Sequence, residues 1–412
     1  MTPTLSDLFR VFGRIGVLSF GGPAAQIALM HKELVEDRSW LSERDFLGAL
    51  SFCMLLPGPE AMQLATYTGW KLRGTLGGLI AGLLFVLPGA LVILALAVAY
   101  ISLAEVPLVQ MAFVGIKAAV IAIVIQALWK VSQKALKGPW AWALAVLAFL
   151  AIYSANVSFV LILLCAAIVG TLVFRTAPDA TQQTSTPRGS GLVQIPIWLG
   201  LWLAPIVLVY LLEQAFLVDI ALFFSKLAVV TFGGAYAVLA YMVQTVSSDF
   251  GWITTEQMID ALGLAETTPG PLILVTEFVA LLAGYAQGGV PLMLAAGALT
   301  LWCTFPPCFL WIFAAAPYLD RLLAQPALKA ALSGVSAAVV GVILNLSLLF
   351  ALHVLFSELS QTAFGTFPVL ASFQPVAFVL TALSAVLLLV MRWSLPMVLL
   401  ISTALACVLA FL

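Results

Sequence analysis

The same pattern occurs twice in this chain, at residues 14–59, RIGVLSFGGPAAQIALMHKELVEDRSWLSERDFLGALSFCMLLPGP, and at residues 226–271, KLAVVTFGGAYAVLAYMVQTVSSDFGWITTEQMIDALGLAETTPGP. The two copies are offset by a constant 212 residues, and positions 7–59 and 219–271 share 16 identities in 53 positions. Unrelated segments of such biased composition would share about a third of that number. The chain therefore contains an internal duplication, and an element predicted in one half is expected in the other.

The composition indicates that this duplicated unit lies in a lipid bilayer. Of the 412 residues, 63% are hydrophobic and 8% are charged, whereas soluble domains have about 45–50% and about 25%. The net charge of −1 offers no basic surface for nucleic acid. Because the sequence has two histidines, no C-x-x-C pair and no hydrolase or ATP-site motif, we expect no metal, no cofactor and no enzyme activity. Duplicated halves in a membrane are typical of secondary transporters.

Thirteen apolar segments follow from the hydropathy pattern. They lie at 7–30, 46–70, 74–101, 107–129, 139–154, 157–174, 193–212, 219–243, 257–284, 290–316, 331–351, 367–391 and 395–412. The pattern predicts an all-α polytopic membrane protein made of two inverted-topology repeats with broken or re-entrant helices. We divide the chain into a first repeat at 1–174, a polar cytoplasmic linker at 175–191, an unpaired inverting helix at 192–213 and a second repeat at 214–412.

The distribution of basic residues predicts the inversion. The loops of the first half contain Lys32, Arg38, Arg44, Lys71, Arg73, Lys130, Lys134 and Lys137. The corresponding loops of the second half, 244–256, 285–289 and 352–366, contain no Lys or Arg, and the alternate loops there carry Arg321, Lys329 and Arg392. By the positive-inside rule, the N-terminus and the linker are cytoplasmic and the C-terminus is external. Whether segments 7–30 and 46–70 span the membrane or re-enter it stays open.

Two Phe-Gly-Gly and two Pro-Gly-Pro elements interrupt apolar segments. Adjacent glycines accept positive φ, and prolines cannot continue a preceding helix, so each element should divide its segment into two half-helices. Irregular backbone in a membrane is tolerated where it lines a cavity, and helix N-termini favour anions. We therefore expect an anion site where the four breaks meet. Its candidate residues are Phe20, Gly21, Gly22, Pro23, Pro57, Gly58, Pro59, Phe232, Gly233, Gly234, Pro269, Gly270 and Pro271.

Three basic residues are candidates for holding the anion. Arg14 and Lys226 occupy corresponding positions, six residues before each Phe-Gly-Gly element, and Lys117 lies inside an apolar segment. Basic residues within a span are costly and are functional candidates by default. The alternatives stay open: Arg14 could reach the headgroup region, and Lys226 or Lys117 could belong to an internal ion pair.

Three carboxylates are candidates for proton coupling. Glu60 follows Pro-Gly-Pro directly, Glu266 precedes the second copy by three residues, and Glu277 follows it by six. A carboxylate beside an anion site binds a proton more readily, and could release it in exchange for the anion. The alternative for Glu60 is stabilisation of the helix that it begins. Asp260 and Glu256 are expected near a helix start.

These residues carry a resemblance to the chromate ion transporter family in its long, two-domain form. The stretch from Phe20 to Trp70 resembles the first signature of that family, and FGGAYAVLAYM with WITTEQMIDALGLAETTPGPLILVTEF resembles the second. The likeness continues through FVLPG and GIKAAV, while Ala118 and Ala240 stand where the family often has proline.

The resemblance implies a bacterial inner-membrane protein that exports chromate, is driven by the proton motive force and confers chromate resistance. Sulfate is implied as the natural analogue, since both anions are tetrahedral dianions. By position, the resemblance adds Gln63, Thr267 and Thr268 to the substrate-binding candidates. Together with the external C-terminus that the basic residues predict, an inner-membrane location places the C-terminus in the periplasm.

Three rival functions stay open at this point. A transporter of sulfate or another tetrahedral oxyanion would use the same residues. A membrane enzyme or a lipid flippase that acts on a phosphate headgroup would need lateral access and a catalytic base pair, and the sequence offers no such pair. A passive channel would be independent of the proton gradient. The direction, the coupling ion, the stoichiometry and assembly as a homodimer are equally open.

Overall fold

The computed structural model describes residues 3–103, 105–174, 191–232, 234–362 and 365–409. The helices are α1 Leu5–Leu18, α2 Gly22–His31, α3 Glu43–Cys53, α4 Glu60–Leu103, α5 Pro107–Ala135, α6 Pro139–Ala155, α7 Phe159–Val173, α8 Gln194–Leu211, α9 Ala215–Val230, α10 Ala235–Val243, α11 Thr255–Glu266, α12 Val275–Thr304, α13 Pro306–Ala315, α14 Leu319–Leu323, α15 Pro326–Leu355, α16 Pro375–Ala385 and α17 Leu395–Leu409. The predicted all-α polytopic class is confirmed. Five helical stretches are long and apolar enough to cross a membrane: Glu60–Leu103, Pro107–Ala135, Gln194–Leu211, Leu272–Leu323 and Pro326–Leu355.

The duplication is visible in the details of the helices. Short helix α2 leads into a π-helical turn at Lys32–Glu36, and α10 leads into a corresponding turn at Gln244–Asp249. The next helix in each half has a hydroxyl side chain at its N-cap, Ser42 for α3 and Thr254 for α11. These hydroxyls satisfy backbone N–H groups that the first helical turn leaves free. The two halves therefore share local structure as well as sequence.

The predicted breaks are present. Segment 7–30 consists of α1 and α2, with 14 and 10 residues, and segment 46–70 is divided between α3 and the start of α4. At about 1.5 Å per residue, α1 and α2 measure about 21 and 15 Å. Each is shorter than the apolar thickness of a bilayer, about 30 Å. This geometry favours broken or re-entrant elements over single straight spans.

The expected gaps between segments 46–70 and 74–101 and between segments 257–284 and 290–316 coincide with non-helical residues, Arg73 and Gly74 in α4 and Gly288 and Gly289 in α12. The chain folds back at the first of these breaks, because a Cβ at Gly69 would meet the Gly77 carbonyl oxygen. The structure differs from the expected boundaries in the region that follows α15. The expected loop at 352–366 contains strands β1 Leu359–Thr362 and β2 Gly365–Pro368, which pair antiparallel. Of the predicted linker, residues 175–190 lie outside the described part of the chain, as does Gly233.

The helices form two compact units, and each unit draws on both repeats. Unit 1 comprises the described residues of 3–97, 191–235 and 268–326, and unit 2 those of 98–174, 236–267 and 327–409. In unit 1, a Cβ at Gly16 would lie 1.9 Å from the Leu84 carbonyl oxygen. In unit 2, a Cβ at Gly334 would lie 2.2 Å from the Ala166 carbonyl oxygen. Glycine thus lets helices approach closely within each unit, as is common in membranes.

Candidate functional site

Four helix starts surround one small cavity in unit 1. They are the first turns of α2, α4 and α10 and the 3-10 turn Leu272–Leu274 that precedes α12. The cavity has a volume of about 20 Å³ and is lined by Pro23, Gln26, Pro59, Glu60, Ala61, Gly234, Ala235, Pro271, Leu272 and Ile273. Because backbone N–H groups at helix starts lack partners within the helix, this lining is suited to an anion.

Two equivalent hydrogen bonds hold the breaks of the two repeats together. The Gly58 N–H donates to the Thr231 carbonyl at 2.9 Å, and the Gly270 N–H donates to the Ser19 carbonyl at 3.0 Å. Gly58 and Gly270 both have positive φ, 123° and 86°, which favours glycine at these positions. Each Pro-Gly-Pro element is thereby fixed against the Phe-Gly-Gly element of the other repeat.

The approach of α4 to this region also requires glycine. A Cβ at Gly89 would lie 2.2 Å from the Pro269 carbonyl oxygen, so a side chain there would displace the second Pro-Gly-Pro element. Gly21 and Gly234 have φ values of 85° and 94°. The predicted glycines therefore define the shape of the cavity through the backbone.

Gln26 is a residue of the cavity that the sequence reasoning missed. Its side chain is buried, and Nε2 donates to the carbonyls of Gly270 at 2.6 Å and Ser19 at 3.2 Å. Within the described residues, its Oε1 has no hydrogen-bond partner. The residue at the corresponding position of the second repeat is Val238, so the site departs from symmetry here. An amide inside an apolar helix is the signal that could have identified it.

The three carboxylate candidates have different environments. Glu60 is the first residue of α4 and lines the cavity, and a Cβ at Gly234 would lie 3.9 Å from its Oε1. Glu277 is buried in unit 1, and its Oε2 has no hydrogen-bond partner among the described residues. Glu266 is buried in unit 2, where it accepts a hydrogen bond from the Tyr236 hydroxyl. Of the three, Glu60 is the one that lines the cavity.

Arg14 and Lys226 are not among the residues that line the cavity. Both side chains are exposed, on α1 and α9 respectively. Arg14 Nε lies 3.5 Å from Oε1 of the buried Glu33, which also forms an ion pair with Arg38. The structure therefore does not bring these two cations to the cavity that the four helix starts surround.

The chain matches the family model described as Chromate transporter over residues 6–171 and 218–410. It belongs to the chromate transporter family. The chromate transport proteins of Cupriavidus metallidurans and Pseudomonas aeruginosa are 33% and 34% identical, over 83% and 82% of this chain and 81% and 79% of theirs. The probable chromate transport protein of Synechococcus elongatus is 32% identical over 82% of this chain and 83% of its own. No solved structure matches the chain.

The two-part match separates the repeats of this chromate transporter family member. Residues 172–217, between the matched parts, include the predicted linker and α8, Gln194–Leu211. Helix α8 lies where the unpaired inverting helix is predicted, and its role as an inverting helix stays a prediction. Membership of a transporter family indicates transport rather than catalysis.

The candidates added by the family resemblance lie at the breaks. Gln63 is buried in unit 1 and its Nε2 donates to the Pro57 carbonyl at 2.7 Å. Thr268 is buried in unit 1, and the Thr267 hydroxyl donates to the Leu264 carbonyl in unit 2. Phe20 is 41% exposed and Phe232 is half-buried. Gln63 and the threonines support the breaks and are not part of the cavity lining.

Lys117 lies in unit 2 and forms an internal ion pair. Its Nζ is 3.3 Å from Glu256 Oε2 and 3.7 Å from Asp260 Oδ1. Glu256 lies in the first turn of α11, as expected, but Asp260 is a buried residue in the middle of that helix. The expectation that Asp260 lies near a helix start is wrong, because α11 begins at Thr255, earlier than the apolar pattern indicates.

Proposed function

We propose that this chain is a secondary transporter that exports chromate across the bacterial inner membrane and is driven by the proton motive force. One observation carries the proposal: four helix starts from two repeats line a single cavity in unit 1. Their N–H groups and positive dipole ends favour a small anion. The names of the relatives from Cupriavidus and Pseudomonas supply chromate as the anion to test first.

Glu60 couples anion binding at this site to the binding and release of a proton. Its carboxylate lines the same cavity, and an anion bound there would disfavour its charged form. Proton binding to Glu60 and release of that proton would then alternate with binding and release of the anion. Glu277 and Glu266, both buried carboxylates, are further candidates for carrying the coupled proton.

The cavity volume of about 20 Å³ is enough for about one water molecule. A tetrahedral oxyanion is larger, so the helix starts must separate to admit it. We assign the structure to a closed conformation of the transport cycle. In this proposal the N-terminus is cytoplasmic, the C-terminus is periplasmic, and a homodimer is the assembly to test. The substrate-binding candidates named from the sequence stay proposals, with Arg14 and Lys226 acting as exposed cations that attract the anion.

The test is uptake of radiolabelled chromate into everted membrane vesicles. We expect accumulation with a proton gradient, none after an uncoupler, and loss of accumulation in the E60Q variant. Excess sulfate should compete, because both anions are tetrahedral dianions and backbone N–H groups do not distinguish them strongly. Gradient-independent equilibration would indicate a channel. The absence of chromate flux in well-expressed protein would refute the proposal, and labelled sulfate and analysis of membrane lipids would then test the two remaining rivals.

A further inference from the structure

A cluster of charged and polar side chains lies in unit 2, outside the cavity described above. Asp260 of α11 is buried; its Oδ2 accepts a hydrogen bond of 2.9 Å from the Tyr100 hydroxyl of α4, and its Oδ1 lies 3.7 Å from Lys117 Nζ. Lys117 also reaches Glu256, whose side chain is 66% exposed. The cluster thus extends from an exposed carboxylate to a buried one through a single lysine.

The position of Lys117 within a span makes this cluster energetically costly. Lys117 is ten residues into α5, which begins at Pro107, and is therefore about 15 Å from the helix start. A charged side chain at such a depth within a span is rare and marks a functional path or a paired site. The pairing with Asp260 supplies the partner that a partly buried lysine within a span needs.

The charges in the cluster do not balance. Tyr100, Lys117 and Glu256 are the titratable or charged groups that act on Asp260, and they come from α4, α5 and α11. Two carboxylates share one lysine, so the cluster has a net charge of −1 when both are ionised. One bound proton makes it neutral. Because ionised groups are disfavoured by burial, that proton belongs on Asp260 rather than on the exposed Glu256.

The duplication indicates that the fold does not need these charges. At the offset of 212 residues, Gly48 in α3 corresponds to Asp260, and Ser336 in α15 corresponds to Lys117 through the matching GIKAAV and GVSAAV stretches. The repeat forms the same helices with uncharged residues at both positions. Lys117 lies in the first repeat and Asp260 in the second, so the ion pair joins the two repeats. A purely structural role would not explain why only one of the two equivalent pairs of positions is charged.

We infer that Asp260, paired with Lys117 and hydrogen-bonded by Tyr100, is a proton-binding site of this transporter. The deprotonated carboxylate shares Lys117 with Glu256. When a proton from water binds to a carboxylate oxygen of Asp260, Lys117 stays neutralised by Glu256, and the contact between α5 and α11 keeps this exposed ion pair but loses the charge attraction to the buried Asp260. Asp260 is nine residues before Pro269 along the chain, so α11 connects this site to the second Pro-Gly-Pro element. This inference rests on the proposed proton coupling and names the residues that bind the coupled proton.

Proton binding can be tested without any substrate. Infrared difference spectra of the purified protein in nanodiscs, recorded across a pH series, report the carbonyl stretch of a protonated buried carboxyl. We expect a titrating band in the wild type that is absent from D260N. In E256Q the cluster has no excess negative charge, so the midpoint should move to lower pH by about one unit. An unchanged band in D260N, or an unmoved midpoint in E256Q, would overturn the assignment.

A transport assay distinguishes a variant that has lost proton coupling from a variant that has failed to fold. D260N resembles the protonated state, so proteoliposomes should exchange chromate without a gradient within about twofold of the wild type, while gradient-driven accumulation falls to the level without a gradient. The double variant K117M/D260N removes the ion pair as a unit. If the pair were only structural, this variant would regain accumulation, and that result would refute a role in coupling. Chromate exchange by the wild type tests the proposed function separately.

Discussion

His31 is held between two carboxylates, and this arrangement makes the region pH-dependent. Nε2 lies 2.7 Å from Glu43 and Nδ1 lies 3.0 Å from Glu36, outside the membrane-spanning segments. The hydrogen bond with Glu43 is the largest cause that raises the pKa of His31 above 6.5. A raised pKa stabilises the folded state at pH values below the unfolded pKa, and that contribution is lost as the pH rises through the folded pKa.

We therefore expect the apparent unfolding temperature of the purified protein to fall as the pH rises above about 6.5, and the H31Q variant to lack this component. The matched control is H353Q, since the His353 ring hydrogen-bonds the Leu349 carbonyl. Thermal unfolding across a pH series makes the measurement. The same pH dependence in H31Q as in the wild type would contradict the assignment.

Single residues differ in how far the sequence reveals them. Gly58 and Gly270 could be predicted, because glycine between prolines in an apolar segment has few structural uses. Gln26 could be singled out as an amide inside an apolar helix, but its partner could not be predicted, because the Gly270 carbonyl is 244 residues away along the chain. An internal ion pair is one of two interpretations of Lys117 from the sequence, and only the packing of α5 against α11 decides it and identifies Asp260 as a partner.

Kinks within helices are conserved between the two halves at the level of dihedral angles. Gly74 has φ 65° and ψ −161°, and Gly289 has φ 68° and ψ −160°. Residues with side chains are strongly disfavoured in that region of the backbone map. Space does not constrain either position, because a Cβ there would meet no atom within 4 Å among the described residues. Backbone conformation alone therefore requires glycine.

Because backbone conformation alone requires glycine at position 289, a substitution there tests the cost of backbone strain. G289A should destabilise the protein by about 1–3 kcal/mol through backbone strain. G13A is the matched control, because Gly13 lies within α1 with no atom near its Cβ position; it should stabilise by about 0.5–1 kcal/mol. Apparent unfolding temperatures in one detergent compare the two. Equal stability of the two variants would show that the kink relaxes.

Elements could be predicted where the sequence contains a physical interruption. Gly-Gly and Pro-Gly-Pro predicted the breaks that separate α1 from α2 and α3 from α4. The break within α4 at Arg73 and Gly74 could also be predicted, because a polar residue followed by glycine normally indicates a turn. The hairpin of β1 and β2 follows from pairing between strands and leaves no periodic signal in so short a segment.

At the scale of the whole molecule, the duplication could be read from the sequence, but the compact units could not. Unit 1 and unit 2 each contain stretches of both repeats. Repeats are a property of the chain, whereas units are set by which helices pack, and helix packing depends on side-chain faces that an apolar segment hides. The repeat boundaries at 174 and 214 therefore stay a prediction about the sequence.

Inversion of the repeats predicts that equivalent residues of the two halves lie on opposite sides of the membrane. Asp37 and Asp249 occupy corresponding positions at the offset of 212 residues, and both are exposed. Asp37 directly follows one π-helical turn, and Asp249 is the last residue of the other. In parallel repeats, equivalent residues would face the same side of the membrane. The asymmetry of basic residues instead predicts Asp37 on the cytoplasmic side and Asp249 on the periplasmic side.

The measurement is labelling of single cysteines at these positions by a membrane-impermeant thiol reagent. The background replaces Cys53, Cys165, Cys303, Cys308 and Cys407, and gradient-driven uptake by that background controls for folding. We expect D249C to react in intact spheroplasts and D37C to react in everted vesicles. Labelling of both variants from one side would exclude inversion. When repeats are inverted, an anion site made of their equivalent breaks is similar from both faces of the membrane, and this similarity is the structural basis for alternating access. Labelling of both variants from one side would therefore remove that basis as well.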